Sequence, residues 1–179
     1  MRYPRLYTRS KKCIDLYKKT NDVKYAMEGD CIDSLYECEG FEIYEKILKF
    51  AKDNNFKKIY DIGCAYGHQS EVFLNSAVDY VGIEACKFGY WNSDKYHYIN
   101  QEYPFKINAA DNELAVSVLC LTWNCYLYEE EKTLKEQCQA LQRDFKHCLL
   151  YIVKDKINYM KKYYKNSKII EKGLIYFSN

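Results

Sequence analysis

The chain has 179 residues, of which 48% are hydrophobic and 29% charged, and its formal net charge is +2. This length suits one domain with its own hydrophobic core, and the hydrophobic content argues against global disorder. No apolar run approaches the roughly 18 residues that a membrane span requires, and residues 1–10 lack the apolar centre of a secretory signal. We therefore expect a cytoplasmic protein with no membrane partner.

Nine cysteines are spread irregularly along the chain, and no Cys-x-x-Cys pair occurs. Zinc sites usually carry two close ligand pairs, so this spacing predicts no metal site. Cys64, Cys86, Cys120 and Cys148 lie in or beside apolar runs, where reduced cysteines act as small buried hydrophobic residues. The high content of Tyr, Lys and Asn is typical of an AT-rich genome, such as that of a low-GC bacterium or its phage.

The chain divides into two predicted regions. Residues 1–40 form a helical N-terminal extension or lid, in which residues 9–19 have helical spacing. Residues 41–179 form the main domain. Its first element is a helix over residues 41–52, because apolar side chains recur there with helical spacing and the run Asp-Asn-Asn at 53–55 ends it.

Strands and helices alternate after this helix. Strands are predicted at 58–62, 80–84, 96–100, 114–121 and 148–153; helices at 67–75, 129–147 and 156–165; and a short helix or loop at 87–94. The run 114–121 is almost wholly apolar, which is typical of a parallel strand covered on both faces. Two strands at 168–170 and 174–177 flank a turn and predict a terminal hairpin. This pattern predicts a parallel sheet with right-handed crossovers and an antiparallel strand at one end.

A strand-to-helix turn at residues 61–67 reads Asp-Ile-Gly-Cys-Ala-Tyr-Gly. Gly63 and Gly67 have no Cβ, so a ligand can approach the backbone closely, and the N–H groups of the following helix face the same crevice. Glu84 ends the second strand at the same edge of the sheet, where a carboxylate can accept both hydroxyls of a ribose. These features together predict a nucleotide site, and the alternative is a structural turn with a surface glutamate.

Residues 59–67, followed by 80–84, resemble the nucleotide-binding half of class I S-adenosylmethionine-dependent methyltransferases. The resemblance covers roughly residues 41–179, and its most specific part is 57–86. It implies an α/β fold: a Rossmann-like three-layer sandwich with a mostly parallel seven-stranded sheet and a C-terminal antiparallel hairpin. The family's glycine loop usually has three small residues, and Ala65 occupies the middle position. This is a mild departure from the family's pattern.

The resemblance also implies S-adenosylmethionine as the cofactor and assigns its contacts. Asp61 and Gly63 would line the methionine end, Ala65 and Gly67 belong to the same loop, and Glu84 would hold the ribose. For the contact to adenine, three residues compete: Gln101, Glu102 and Asp111. Asp111 is preferred because it lies in the turn before the fourth strand, although it also suits a simple turn former.

In this family the end of the fourth strand borders the transferred methyl group. The acid/Asn-Pro-Pro-aromatic signature of amino-group methyltransferases and the Pro-Cys signature of cytosine-C5 enzymes are both absent there. Trp123 and Asn124 are candidates to stack on and hydrogen-bond a planar acceptor, and a packed loop is the alternative. His68, at the helix start, is a third candidate and is expected to be neutral. A nucleophilic Cys120 or Cys125 would need a base, and none is apparent.

Two function classes follow. The first is an S-adenosylmethionine-dependent methyltransferase whose acceptor is a small molecule, protein or nucleic acid. The second is a non-catalytic methyltransferase-like binding module, partner subunit or viral effector. A nicotinamide-dependent oxidoreductase is disfavoured because the loop lacks G-x-G-x-x-G. Residues 1–24 carry a charge of +6 and residues 154–179 carry +5, which suits a polyanion, although solvated lysine-bearing helix faces explain them as well.

Overall fold

The computed structural model describes residues 19, 40–64, 67–84, 97–118, 120, 130–152 and 157–179. Its elements in chain order are α1 (Gly40–Asp53), β1 (Lys58–Ile62), a 3₁₀ helix (His68–Phe73), β2 (Asp79–Ile83), β3 (His97–Ile99), β4 (Glu113–Val118), α2 (Glu130–Asp144), β5 (His147–Tyr151), α3 (Ile157–Met160), β6 (Asn166–Glu171) and β7 (Leu174–Ser178). The predicted extension or lid over residues 1–40 and the predicted segment 87–94 lie almost wholly outside the described residues.

The seven strands form a single sheet in the order β3-β2-β1-β4-β5-β7-β6. The five strands from β3 to β5 are parallel to their neighbours, whereas β7 runs antiparallel to both β5 and β6. The predicted fold class, a mostly parallel Rossmann-like sheet with a terminal antiparallel hairpin, is therefore confirmed. From β1 the chain adds β2 and then β3 on one side, and then adds β4 on the other side of β1. The strand order therefore reverses between β1 and β4, which is the usual place for a ligand crevice.

Hydrophobic clusters cover the sheet on both faces. Leu114 and Val116 of β4 pack with α1 and the 3₁₀ helix on one face, while Ala115 packs with α2 and α3 on the other. The alternation explains why Leu114, Ala115 and Val116 are apolar and buried in succession, as expected for a strand between two helical layers. Within the described part of the chain, no helix is both long enough and apolar enough to cross a bilayer.

Two predicted helices differ from the structure. The segment after the glycine turn is a six-residue 3₁₀ helix, which is shorter than the helix predicted over 67–75. The last helix, α3, has only four residues. Lys161 N–H donates to the Ile157 carbonyl four residues back, as in an α-helix, whereas Lys162 N–H donates to the Tyr159 carbonyl three residues back, so the α-helical spacing ends there. A run this short contains too little sequence to distinguish 3.0 from 3.6 residues per turn.

The end of α1 is a Schellman motif. Asn55 has a left-handed φ of 60°, its N–H donates to the Lys52 carbonyl (3.1 Å), and Phe56 N–H donates to the Ala51 carbonyl (2.9 Å). These are the two hydrogen bonds that define the motif, and the stacked rings of Phe50 and Phe56 supply its usual apolar contact. The predicted helix stop at residues 53–55 is confirmed, and it delivers the chain into β1.

We predict that Asn55→Gly stabilises the protein and Asn55→Ala destabilises it. The left-handed backbone costs a residue with a Cβ about 1–2 kcal/mol, a cost that Asn partly escapes and Gly avoids. Urea unfolding should show a gain of about 0.5 kcal/mol for Asn55→Gly and a loss of about 1 kcal/mol for Asn55→Ala. The reverse ranking would show that residue 55 does not hold this conformation in solution.

Candidate functional site

The ends of β1 and β2 bring Gly63 and Glu84 together. Ile62 and Ile83 are register partners at the ends of these strands, and the Ile83 carbonyl accepts hydrogen bonds from the N–H groups of Gly63 (2.8 Å) and Cys64 (3.2 Å). Glu84 therefore begins beside the glycine turn, at the carboxyl edge of the sheet. This is the juxtaposition that the sequence predicts for the two residues.

Glu84 is held on its other side by β3. Its N–H donates to the Ile99 carbonyl (3.1 Å), and the side-chain amide of Asn100 donates to the Glu84 carbonyl (2.9 Å). The residue is 9% exposed. The backbone of Glu84 is thus fixed between the glycine turn and the end of β3, and this fixes the point from which its side chain extends.

Both glycines of the turn adopt left-handed conformations, with φ of 78° at Gly63 and 70° at Gly67. Residues with a Cβ rarely adopt this backbone, so glycine is required at both positions. Gly67 N–H donates to the Cys64 carbonyl (2.9 Å) and closes the turn. Ala65 lies outside the described residues, and His68 begins the 3₁₀ helix with its backbone.

Cys120, two residues beyond the end of β4, packs directly on Gly63. A Cβ added at Gly63 would lie only 1.8 Å from the Sγ atom of Cys120, so any larger residue would have to displace that side chain. Ser117 Oγ donates to the Ile62 carbonyl (2.9 Å) and ties the same strand end to β1. Gly63 therefore serves close packing between β1 and β4 as well as the turn. Trp123 and Asn124, the predicted acceptor contacts, lie outside the described residues.

The carboxylate of Asp61 is enclosed by the protein's own side chains. Tyr44 Oη lies 2.9 Å from Oδ2 and 3.1 Å from Oδ1, Tyr80 O–H donates to Oδ2 (2.6 Å), and the Gln69 amide donates to Oδ2 (2.9 Å). Asp61 is 0% exposed. Its register partner on β2 is Gly82, which has no side chain. We call Asp61, Tyr44, Tyr80 and Gln69 the Asp61 cluster.

Burial governs the protonation of this cluster. The pKa of Asp61 is raised to about 6: burial is the largest cause, the hydrogen bonds from Tyr80, Gln69 and Tyr44 oppose it only in part, and the nearby charge of Glu84 adds a smaller increase. Burial also raises the pKa values of Tyr44 and Tyr80 well above the ordinary value. Both tyrosines therefore stay protonated and act as donors to the carboxylate.

The structure corrects the predicted role of Asp111. Asp111 precedes β4, whose first residue, Glu113, pairs with Lys58 at the amino end of β1. It therefore lies at the amino edge of the sheet, opposite the glycine turn, where its carboxylate forms an ion pair with Lys146 Nζ (2.7 Å). A residue before a parallel strand and a residue after one lie at opposite edges, so Asp111 and Glu84 cannot share a ligand there.

The two alternatives to Asp111 lie at the other edge. Gln101 and Glu102 follow β3 and Asn100 and are exposed, so they begin at the same carboxyl edge as Glu84.

Sequence reasoning missed three members of the Asp61 cluster. Tyr44 was visible only as part of an apolar helical stripe and Tyr80 only as a strand residue. A usable signal exists for both, because a buried tyrosine hydroxyl and a buried carboxylate each require a partner. Gln69 carries no comparable signal, since polar residues on a short helix usually face solvent.

The described residues show no group of three or more His, Cys, Asp or Glu side chains arranged to hold a metal ion. Cys64, Cys120, Cys138 and Cys148 are thiols rather than disulfides. Cys64 and Cys148 are buried, as expected for cysteines in apolar runs, whereas Cys120 is half-buried. Burial raises the pKa of the Cys64 thiol well above the ordinary value, which makes it a poor nucleophile.

No protein-family model matches the sequence, and no curated protein matches it. Solved structures match its fold at low identity. A 1,6-didemethyltoxoflavin-N1-methyltransferase from Burkholderia thailandensis, solved with 1,6-didemethyltoxoflavin and S-adenosylhomocysteine bound, is 10% identical with a TM-score of 0.59, and the match covers 98% of this chain and 88% of that one. A TehB-like S-adenosylmethionine-dependent methyltransferase from Corynebacterium glutamicum is 13% identical with a TM-score of 0.56, and the match covers 94% of this chain and 98% of that one.

The structure of WbdD with the kinase inhibitor LY294002 is 11% identical with a TM-score of 0.56. That match covers 75% of this chain but only 40% of WbdD, so the chain spans about two fifths of that longer protein. Together these likenesses establish the fold. The chain has the fold of class I S-adenosylmethionine-dependent methyltransferases, as its resemblance in sequence implies.

We predict that Asp61→Asn removes one specific pH dependence of folding. A carboxyl pKa of about 6 against a usual 3.8 means that the folded state favours the protonated form. The resulting stabilisation is complete below about pH 4 and is lost as pH rises through 6. Between pH 7 and pH 4 the wild type should therefore gain about 2.5 kcal/mol relative to Asp61→Asn.

Urea unfolding of both proteins at several pH values in this window measures that difference. Other carboxyl groups titrate in both proteins and cancel in the comparison. A difference between the two proteins that does not vary with pH would contradict a raised Asp61 pKa.

Proposed function

We propose that the chain binds S-adenosylmethionine and transfers its methyl group to an acceptor whose class is still open. The observation that carries the proposal is the position of Glu84 directly beside the Gly63 turn, at the carboxyl edge where the strand order reverses. Ligands of open parallel sheets bind at this place. The proposal is also supported by the solved methyltransferases of the same fold, one of which holds S-adenosylhomocysteine.

The residues beside the turn fit the nucleoside part of this cofactor. Glu84 offers a carboxylate that can accept both ribose hydroxyls. In the left-handed turn of Gly63 and Gly67, Cys120 fills the space beside Gly63, and the backbone at Gly67 has no Cβ, which suits close approach of a ligand. In our proposal Gln101 and Glu102 replace Asp111 as candidates for the adenine contact, because they follow β3 at the same edge.

The catalytic task of the chain is chiefly positioning. S-adenosylmethionine supplies a methyl group on a positively charged sulfur, which is already activated for transfer. Holding the acceptor in line with that group supplies much of the rate, so no acid–base triad is needed. Glu84 would fix the sugar and the backbone at Gly63 would set the depth of the site. His68, Trp123 and Asn124 stay candidates for the acceptor side.

We predict that Glu84→Gln weakens binding of S-adenosylhomocysteine by roughly 10- to 100-fold, because a hydrogen bond to a charged group contributes about 1.5–3 kcal/mol. Isothermal titration calorimetry measures the affinity. Asp111→Asn, which removes a carboxylate at the opposite edge, is the matched control and should bind like wild type. Equal losses in the two variants, or none in Glu84→Gln, would remove Glu84 from the site.

Transfer of a radiolabelled methyl group separates an enzyme from a non-catalytic binding module. We expect label from S-adenosylmethionine to enter one fraction of a cell lysate, divided into small molecules, protein and nucleic acid. The Glu84→Gln variant should lose this incorporation at cofactor concentrations below the wild-type dissociation constant and recover it in part at saturation. Binding without incorporation in any fraction would favour the binding module.

A further inference from the structure

The Asp61 cluster joins a buried carboxylate to the glycine turn. Gln69 makes the connection, because its side-chain amide donates to both Asp61 Oδ2 (2.9 Å) and the Cys64 carbonyl (2.7 Å). The Cys64 carbonyl also accepts from Gly67 N–H. A continuous chain of hydrogen bonds therefore runs from Asp61 through Gln69 to the backbone that closes the turn.

The same carboxylate receives donors from two other elements. Tyr44 reaches it from α1, where its ring also packs edge-on against Phe73 of the 3₁₀ helix. Tyr80 reaches it from β2. One oxygen, Oδ2, thus accepts from Tyr44, Tyr80 and Gln69, while Oδ1 is also approached by Tyr44. Asp61 has no exposed surface, so its acceptor capacity is used inside the protein.

We propose that Asp61 is a positioning residue, which holds the glycine turn through Gln69, and that it makes no direct contact with the methionine ammonium of the cofactor. This inference rests on the proposed function and changes one of its expected contacts. It implies that the effect of Asp61 on binding is transmitted through the glycine turn. Loss of any member of the Asp61 cluster should then weaken every adenosine ligand alike, whether or not that ligand carries an amino-acid group.

Two ligands distinguish positioning from direct contact. S-adenosylhomocysteine carries the ammonium group, whereas 5′-methylthioadenosine shares the adenosine part and lacks the amino acid. We expect Asp61→Asn and Gln69→Met to weaken both ligands by the same factor, about 3- to 10-fold, because each removes hydrogen bonds that order the turn. Glu71→Gln, an exposed substitution on the same 3₁₀ helix, is the matched control and should leave both affinities unchanged.

The pH profile of 5′-methylthioadenosine binding supplies a readout that loss of stability alone does not move. The titratable groups facing Asp61 are Tyr44 from α1, Tyr80 from β2, Cys64 from the turn and Glu84. The tyrosines and Cys64 stay protonated below pH 8, and Glu84 is present in both proteins. Affinity of the wild type should therefore fall below about pH 6 relative to Asp61→Asn, as protonation turns an acceptor of the cluster into a donor.

The outcomes are distinct. Equal losses for the two ligands, with the difference in pH profile, support the positioning role. A loss in Asp61→Asn for S-adenosylhomocysteine alone would show direct contact with the ammonium and overturn it, as would unchanged affinities in both variants. If Asp61→Asn fails to fold, Tyr80→Phe removes one donor and carries the same expectation. If wild type binds neither ligand, the proposed function itself fails.

Discussion

The desolvated carboxylate of Asp61 is the constraint on which the site depends. It stands at the end of β1, and its partners come from α1, β2 and the 3₁₀ helix, so four elements meet at one side chain. Its raised pKa means that burial disfavours the charged form of Asp61 more than the hydrogen bonds favour that form. The contribution of the cluster is to fix one arrangement of the elements around the glycine turn.

The sheet explains why this arrangement lies where a ligand can use it. β1 is flanked by β2 and β4, and all three run parallel, so their carboxyl ends meet at one edge. Gly63 receives Cys120 from beyond β4 on one side and lies beside Glu84 on the other. The glycine is thus required twice, by the left-handed turn and by the packing of Cys120 from beyond a neighbouring strand.

Sequence predicted the parts of the fold that depend on local pattern. β1 was predicted at its observed bounds, because a short run containing Ile59, Tyr60 and Ile62 lies between the Asn-rich stop of α1 and a glycine turn. The terminal hairpin and the burial of β4 on both faces followed from the same reasoning. Glu84 was found because its distance along the chain from Gly63 matches one strand–helix–strand unit. A helix was predicted over 67–75, but its 3₁₀ type and shorter length were not, since its hydrogen bonding is decided by the neighbours that enclose it.

The site residues that sequence missed or misplaced share one cause: their roles are set by which edge or face they occupy in three dimensions. Asp111 was preferred because it lies in the turn before the fourth strand, yet a residue before a parallel strand lies at the amino edge. Gln69 is the opposite case: nothing in the sequence marks it as a site residue, yet its side chain links a buried acid to a backbone carbonyl. At 10–13% identity to solved methyltransferases, the backbone scaffold is what the chain shares with them. In this chain the glycine turn is held by side chains such as Tyr44 and Gln69, and the chemistry of such side chains determines what a shared scaffold does.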